Sequence, residues 1–213
     1  MTQTSLGLVE AMQELARKGL NVGAAGNASV RRPHGFEITP SAVATENLSA
    51  ALLVECDLRG SPMGHGKPSS EWRLHRDLYL ARPEIGAIVH CHSPYATALA
   101  CTGRDIPAFH YMVARLGGAD VRCGAYALFG SETLSSIAVA AMQERRGCLL
   151  ANHGQLAVGR DLTEALATAL ELESLAQCYG LALAMGGVRL LSPQEMQEAI
   201  DQFMDYRPGL LNG

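Results

Sequence analysis

Residues 88–99 read IVHCHSPYATAL. An apolar run closes on His90 and His92 and passes at once into a serine, a proline and a new apolar periodicity. With Glu84-Ile85-Gly86-Ala87 before it, the run reads as a buried strand. Pro94 suits the first position of a following helix, and Ser93 suits its cap. On a strand, alternate positions turn both imidazoles to one side, about 6–7 Å apart along the chain. That separation suits two ligands of one metal ion, and equally two buried or two exposed histidines.

Working outward, residues 5–19 carry helical spacing that ends at Gly19. The small-residue stretch GAAGNAS follows, and then SVRR and GFEIT flank the turn residues PHG as a hairpin. LLVECDLRG reads as another strand running into a loop. In KPSSEWRLHRDLYLARP, Trp72, His75, Leu78 and Tyr79 recur at helical intervals, the serines suit an N-cap, and Pro83 marks the exit. Further on, the spacing predicts a strand around VRCGAYAL, a helix over residues 131–145, two short strands meeting at Asn152-His153-Gly154, a long helix from Thr163 to about Met185 and a last helix from Pro193. Several strands are joined by turns too short for a parallel crossover. The expected fold is therefore α/β: a three-layer α/β/α sandwich around a mixed, mostly antiparallel sheet.

The chain has 213 residues, 48% of them hydrophobic, which is enough for one substantial core. No repeat, linker or low-complexity tract divides it, so residues 1–213 are expected to form one domain. No apolar stretch reaches the roughly 20 residues of a spanning helix, and the N-terminus lacks the pattern of a secretory signal; a cytoplasmic location is expected. The six cysteines contain no C-x-x-C pair, which argues against a zinc knuckle or redox dithiol and for reduced thiols. A formal charge of −4 with no basic run leaves no footprint for nucleic acid. A small substrate is the better expectation.

His153 also stands at a strand boundary, beside a glycine that allows close approach. Three histidines suit zinc with a coordination position left open for substrate. His34 lies in a turn, His65 in a glycine-rich loop and His75 on the apolar face of its helix, and these fit less well. In PSSEW, Ser69 and Ser70 stand at a helix start that favours an anion, and Glu71 brings a carboxylate close by. A plain capped helix would look the same.

Taken in order, GNASV (26–30), TPS (39–41), PSSEW (68–72), VHCHS (89–93), PAFHYM (107–112) and NHG (152–154) resemble the class II aldolase/adducin family, in particular its L-fuculose-1-phosphate aldolase branch. The resemblance implies that His90, His92 and His153 bind a divalent metal, usually zinc. It makes Glu71 the acid/base residue, with a second role as metal ligand in the absence of substrate. By similarity Gly26, Asn27, Ser41, Ser69 and Ser70 hold the substrate phosphate. Tyr111 matches a tyrosine that reaches across a subunit boundary to handle the hydroxyl proton of the aldehyde fragment, and Phe129 and Tyr206 match residues on the aldehyde side. Cyclic homotetramers with sites between neighbours are implied. One position departs from the pattern: a glycine usually follows TPS or TPT, and here Ala42 stands in the phosphate-binding stretch.

The activity implied is reversible cleavage of a ketose 1-phosphate to dihydroxyacetone phosphate and an aldehyde: lactaldehyde, a deoxy or methylthio aldehyde, or glycolaldehyde. The related pentulose-phosphate 4-epimerases generally carry an aspartate after the paired serines and a T-x-T-H element, where this chain has SSEWRLH. Decarboxylases, dehydratases and aldolases acting on a non-phosphorylated substrate share the metal histidines. Adducin-like interaction proteins have lost them.

Overall fold

A computed structural model describes the backbone of residues 3–206 and the side chains of residues 7–205. Helix α1 (Gln3–Arg17) leads into the hairpin β1 (Asn27–Arg32) and β2 (Gly35–Ile38), then β3 (Val54–Asp57), α2 (Trp72–Ala81), β4 (Ala87–Cys91) and α3 (Pro94–Ala100). A 3-10 segment, Tyr111–Leu116, and a short β5 (Cys123–Gly124) precede α4 (Glu132–Ala141), β6 (Gly147–Leu150), β7 (Gly154–Gly159), α5 (Leu162–Ala184) and α6 (Pro193–Tyr206).

The seven strands form one sheet in the order β3-β2-β1-β4-β7-β6-β5. Only β5 and β6 run parallel, joined through α4, a connection long enough for a crossover. The other neighbours are antiparallel. Helices cover both faces, giving the expected three layers. On one face Leu74, Leu78 and Tyr79 of α2 and Leu134, Ala138 and Ala141 of α4 pack on Phe36, Ile38, Ile88, Leu156 and Val158. On the other, Leu8, Met12 and Leu15 of α1 and Ala165 and Ala169 of α5 pack on Ala28, Val30, Ala87, Val89 and Ala157.

Covering both faces explains why all five residues of β4 are apolar or buried. Ile88 faces α2 and α4, Val89 faces α1 and α5, and both are fully buried. A slip of one residue would exchange them and turn His90 to the wrong layer. The packing of the core thus sets the direction of the first candidate ligand.

Three local details differ from the sequence-based reading. Helix α2 begins only at Trp72 with Glu71 at its N-cap and no side-chain cap bond; the Ser69 hydroxyl instead accepts from the Glu71 N–H at 3.3 Å. Ser93 occupies the N-cap of α3, with Pro94 first in the helix, yet its hydroxyl does not cap it. The strand expected around residues 121–128 shrinks to two residues, because Tyr126, Leu128 and Phe129 run out over the surface.

Candidate active site

Antiparallel pairing sets Asn27 of β1 opposite His90 of β4, and β4 lies beside β7. His92 follows the end of β4, and His153 sits in the tight connection from β6 to β7. All three imidazoles therefore meet at one end of the central strands. Asn152 takes a left-handed conformation, φ 55°, which asparagine tolerates better than most residues. That turn presents His153 to the cluster.

The Nε2 atoms of His90 and His92 are 3.1 Å apart, and the three ring centroids are separated by 4.9, 4.8 and 5.0 Å. Glu71 enters from the start of α2. Its Oε2 lies 3.1 Å from His90 Nε2 and its Oε1 3.3 Å from His153 Nε2. One ligand atom from each of the four residues falls within 4.8 Å of the others.

Surrounding groups fix these rings. His90 donates from Nδ1 to the Gln155 carbonyl oxygen at 2.8 Å, which leaves its Nε2 lone pair for the cluster. The Gln155 amide donates to Ser93 Oγ at 2.6 Å and to the Ala169 carbonyl at 3.2 Å. Glu173 of α5 accepts from Ser93 Oγ at 2.6 Å and from the Tyr95 and Ala96 N–H groups at 2.9 Å each. A carboxylate from another helix thus caps α3 and pins the turn that follows His92. Asn21 Oδ1 accepts from the His92 N–H at 3.2 Å. Gly26, at φ 75°, lies so close behind that a Cβ would sit 2.7 Å from the His90 carbonyl oxygen.

Burial alone would raise the Glu71 carboxyl, but His90, His153 and the Asn27 amide beside it hold it well below the usual carboxylate range. For His90, burial opposes the charged form, and the Glu71 carboxylate outweighs it and raises the imidazole. Burial, then the neighbouring His90, brings His92 and His153 down to about 4. Glu71 Oε1 is buried and has no hydrogen-bond partner; its approach to His153 lacks hydrogen-bond alignment. An ionised carboxylate with an unused buried oxygen, facing three nitrogens, is a donor set that fits a divalent cation. Zinc ligands about 2.0–2.2 Å from the ion in tetrahedral geometry stand roughly 3.4 Å from one another; three approaches here are 3.1–3.3 Å, and the whole set lies within 4.8 Å.

A cavity of about 330 Å³ opens above the cluster. Gly26, Asn27, Ser41, Ala42, Ser69, Ser70 and Glu71 form one wall, and His92 and His153 part of its floor. Phe129 and Tyr126, both largely exposed, stand at its rim. His90 is fully buried beneath. Tyr111 is not on this cavity; it is exposed on the protein surface, stacked on His110 and on Phe203 of α6. Tyr206 is the last residue of α6, and its side chain lies outside the described residues. Sequence reasoning passed over Asn21, Gln155, Glu173 and Asn152, whose contribution depends on tertiary contacts. His75, which the sequence places on the apolar face of its helix, is indeed buried there, but its polar contacts were not foreseen.

A family model described as "Class II Aldolase and Adducin N-terminal domain" matches residues 7–180. A Rhodospirillum rubrum protein named 5-methylthioribulose-1-phosphate/5-deoxyribulose-1-phosphate aldolase is 48% identical over 200 residues, spanning 94% of this chain and 90% of its own. The L-fuculose phosphate aldolase of Escherichia coli (strain K12) is 40% identical over 200 residues, 93% of each chain. A solved structure of an L-fuculose 1-phosphate aldolase superposes with a TM-score of 0.91 at 36% identity, covering 95% of this chain and 97% of that one. The l-fuculose-1-phosphate aldolase of Thermus thermophilus gives 0.76 at 29% identity, covering 89% and 100%.

Proposed function

The chain belongs to the class II aldolase/adducin family, and from that premise we propose that it is a metal-dependent aldolase. It reversibly cleaves a ketose 1-phosphate, either a deoxy or methylthio pentulose 1-phosphate or L-fuculose 1-phosphate, to dihydroxyacetone phosphate and an aldehyde. The observation that carries this reading is the convergence of the Glu71 carboxylate and three imidazoles on one point beneath a cavity walled by serines.

His90, His92 and His153 hold the cation, with Glu71 as a further ligand only while substrate is absent, and the nitrogen-rich donor set favours zinc. When bound, that ion supplies positive charge beside the substrate carbonyl, where negative charge grows as the carbon–carbon bond opens. Gly26, Asn27, Ser41, Ser69 and Ser70, with Ala42 beside them, receive the phosphate; small side chains and hydroxyl donors beside the positive end of the α2 dipole suit an anion. In the condensation direction Glu71, ionised at rest, accepts the proton from C3 of dihydroxyacetone phosphate. The electron pair left on C3 forms the bond to the aldehyde carbon, and the Tyr111 phenol gives its proton to the aldehyde oxygen, which becomes the C4 hydroxyl. Cleavage runs each transfer backwards.

By the family resemblance Tyr111 acts from a neighbouring copy in a homotetramer with sites between subunits; within one chain it stands apart from the cavity and exposed, so a neighbour can be reached. Phe129, at the rim of the cavity, is assigned to the aldehyde side, and the family resemblance assigns Tyr206 to it as well. Six free cysteines agree with a reducing, cytoplasmic setting; among the described residues no helix is long and apolar enough to cross a membrane. The test is a panel of ketose 1-phosphates assayed for dihydroxyacetone phosphate, with and without chelator. Release from at least one, abolished by chelation and restored by zinc, is expected. Failure with the whole panel rejects the reading.

A further inference from the structure

Behind Glu71 lies a line of buried polar groups, of which only Asn27, at the phosphate wall, has a proposed part in the reaction. Glu71, His75 and Tyr79 recur every four residues and so share one face of α2 and its N-cap, while Asn27 and Ser29 alternate on β1 and face that helix. The two stripes interlock. Tyr79 Oη is 2.8 Å from Ser29 Oγ, Ser29 Oγ is 2.7 Å from His75 Nδ1, His75 Nε2 is 2.5 Å from Asn27 Oδ1, and Asn27 Nδ2 is 3.0 Å from Glu71 Oε2. Ser29 and His75 are fully buried, and Tyr79 and Asn27 nearly so.

With bulk water excluded, each donor must find its acceptor inside the line. An ionised Glu71 only accepts, so Asn27 turns its NH₂ toward it. Asn27 Oδ1 must then accept, which requires the His75 proton on Nε2. His75 Nδ1 is left to accept from the Ser29 hydroxyl, and Ser29 accepts in turn from Tyr79. One proton arrangement satisfies every group. A proton on Nδ1 instead would set two lone pairs against each other at Asn27 and favour an amide flip, bringing its oxygen against the carboxylate.

We propose that His75 is a positioning residue for Glu71: its Nε2–H locks the Asn27 amide with nitrogen toward the carboxylate, which holds Glu71 against the three imidazoles. The kinetic consequence rests on Glu71 being the acid/base group; the structural consequence does not.

The test begins with ¹⁵N-histidine spectra of the wild-type protein, with and without zinc, where His75 must carry its proton on Nε2. Two variants follow, His75→Gln, whose amide nitrogen can take the place of Nε2 as donor, and His75→Leu, which cannot donate. Zinc affinity is read by competition with a chelator, and kcat and KM on the best substrate. His75→Leu should lose at least tenfold in zinc affinity and in kcat with KM within twofold, while His75→Gln stays within threefold of wild type. Should His75→Leu not fold, Ser29→Ala replaces it, with a loss of about threefold in zinc affinity expected. An Nδ1-protonated His75, equal losses in the Gln and Leu variants, or unchanged zinc affinity in the Leu variant or its Ser29→Ala replacement overturns the proposal. If the wild type cleaves no ketose phosphate but the tautomer and zinc results hold, only the functional reading falls.

Discussion

Gly154 packs its α-carbon against the imidazole of His92: a Cβ there would stand 2.9 Å from His92 Cδ2 and 2.6 Å from the Cys91 carbonyl oxygen. Neither neighbour can yield freely, because Cys91 is bound into β4 beside β7 and His92 is tied by its N–H to Asn21. Gly154→Ala should therefore push His92 off the cluster while leaving most of the core intact. The expected result is at least a tenfold loss of zinc affinity, read by chelator competition, with a folded circular dichroism spectrum. Wild-type affinity would show that the ring adjusts.

Glu71→Gln keeps the volume and the ability to accept from Asn27 but removes the base. General acid–base groups contribute on the order of 10²–10⁴ in rate, so kcat should fall by at least about 100-fold. The three histidines remain, so zinc should still be found by metal analysis of the purified variant. Near-normal turnover in a folded variant would remove Glu71 from the chemistry.

Spacing in the sequence suggests the candidate trio without deciding it, with His90 and His92 at alternate positions around a strand end and His153 beside a glycine; the six ordered motifs of the family resemblance are what single it out. The layered architecture followed from apolar periodicity and short turns, both local properties. What escaped was set by distant partners. Ser93 has the chemistry of a cap, but Glu173, far along the chain on α5, takes the free N–H groups of α3. His75 has the spacing of a core residue and is one by burial, yet both its nitrogens are engaged. The pairing of Glu71-x₃-His75-x₃-Tyr79 with Asn27-x-Ser29 is visible in the letters only once the helix is known to cover that strand.

Ala42 adopts φ 58°, a left-handed conformation that penalises a Cβ by about 1–2 kcal/mol. Ala42→Gly relieves that strain but adds unfolded-state entropy of about 0.4–1 kcal/mol. Chemical denaturation should thus show a gain of about 0–1.6 kcal/mol. The methyl group also occupies the wall of the cavity next to Ser41. Its removal should lower KM for a ketose 1-phosphate about fivefold, equivalent to roughly 1 kcal/mol of binding, with kcat little changed. An unchanged KM would place the phosphate away from this wall.

Burial, and secondarily the proximity of His90, brings the His75 imidazole down to about 3 from an ordinary value of 6.5, with Glu71 opposing. The sign of the linkage follows from where the proton binds. The unfolded chain takes up a proton at His75 as pH falls through 6.5, and the folded protein does not until about pH 3. Across that window the unfolded state holds more protons, so His75 costs the fold progressively more stability as the pH drops. The effect approaches about 1.4 kcal/mol per pH unit once the unfolded histidine is mostly charged. His75→Gln lacks this titration, while His92, His153 and every carboxylate remain common to both proteins and cancel in the difference. Urea denaturation of metal-free wild type and His75→Gln at pH 7, 6 and 5 should therefore show the wild type losing about 1 kcal/mol per unit relative to the variant between pH 6 and 5. Parallel stability curves would mean that His75 takes up its proton inside the fold as readily as outside, and a neutral, donor-committed imidazole behind Glu71 would no longer be tenable.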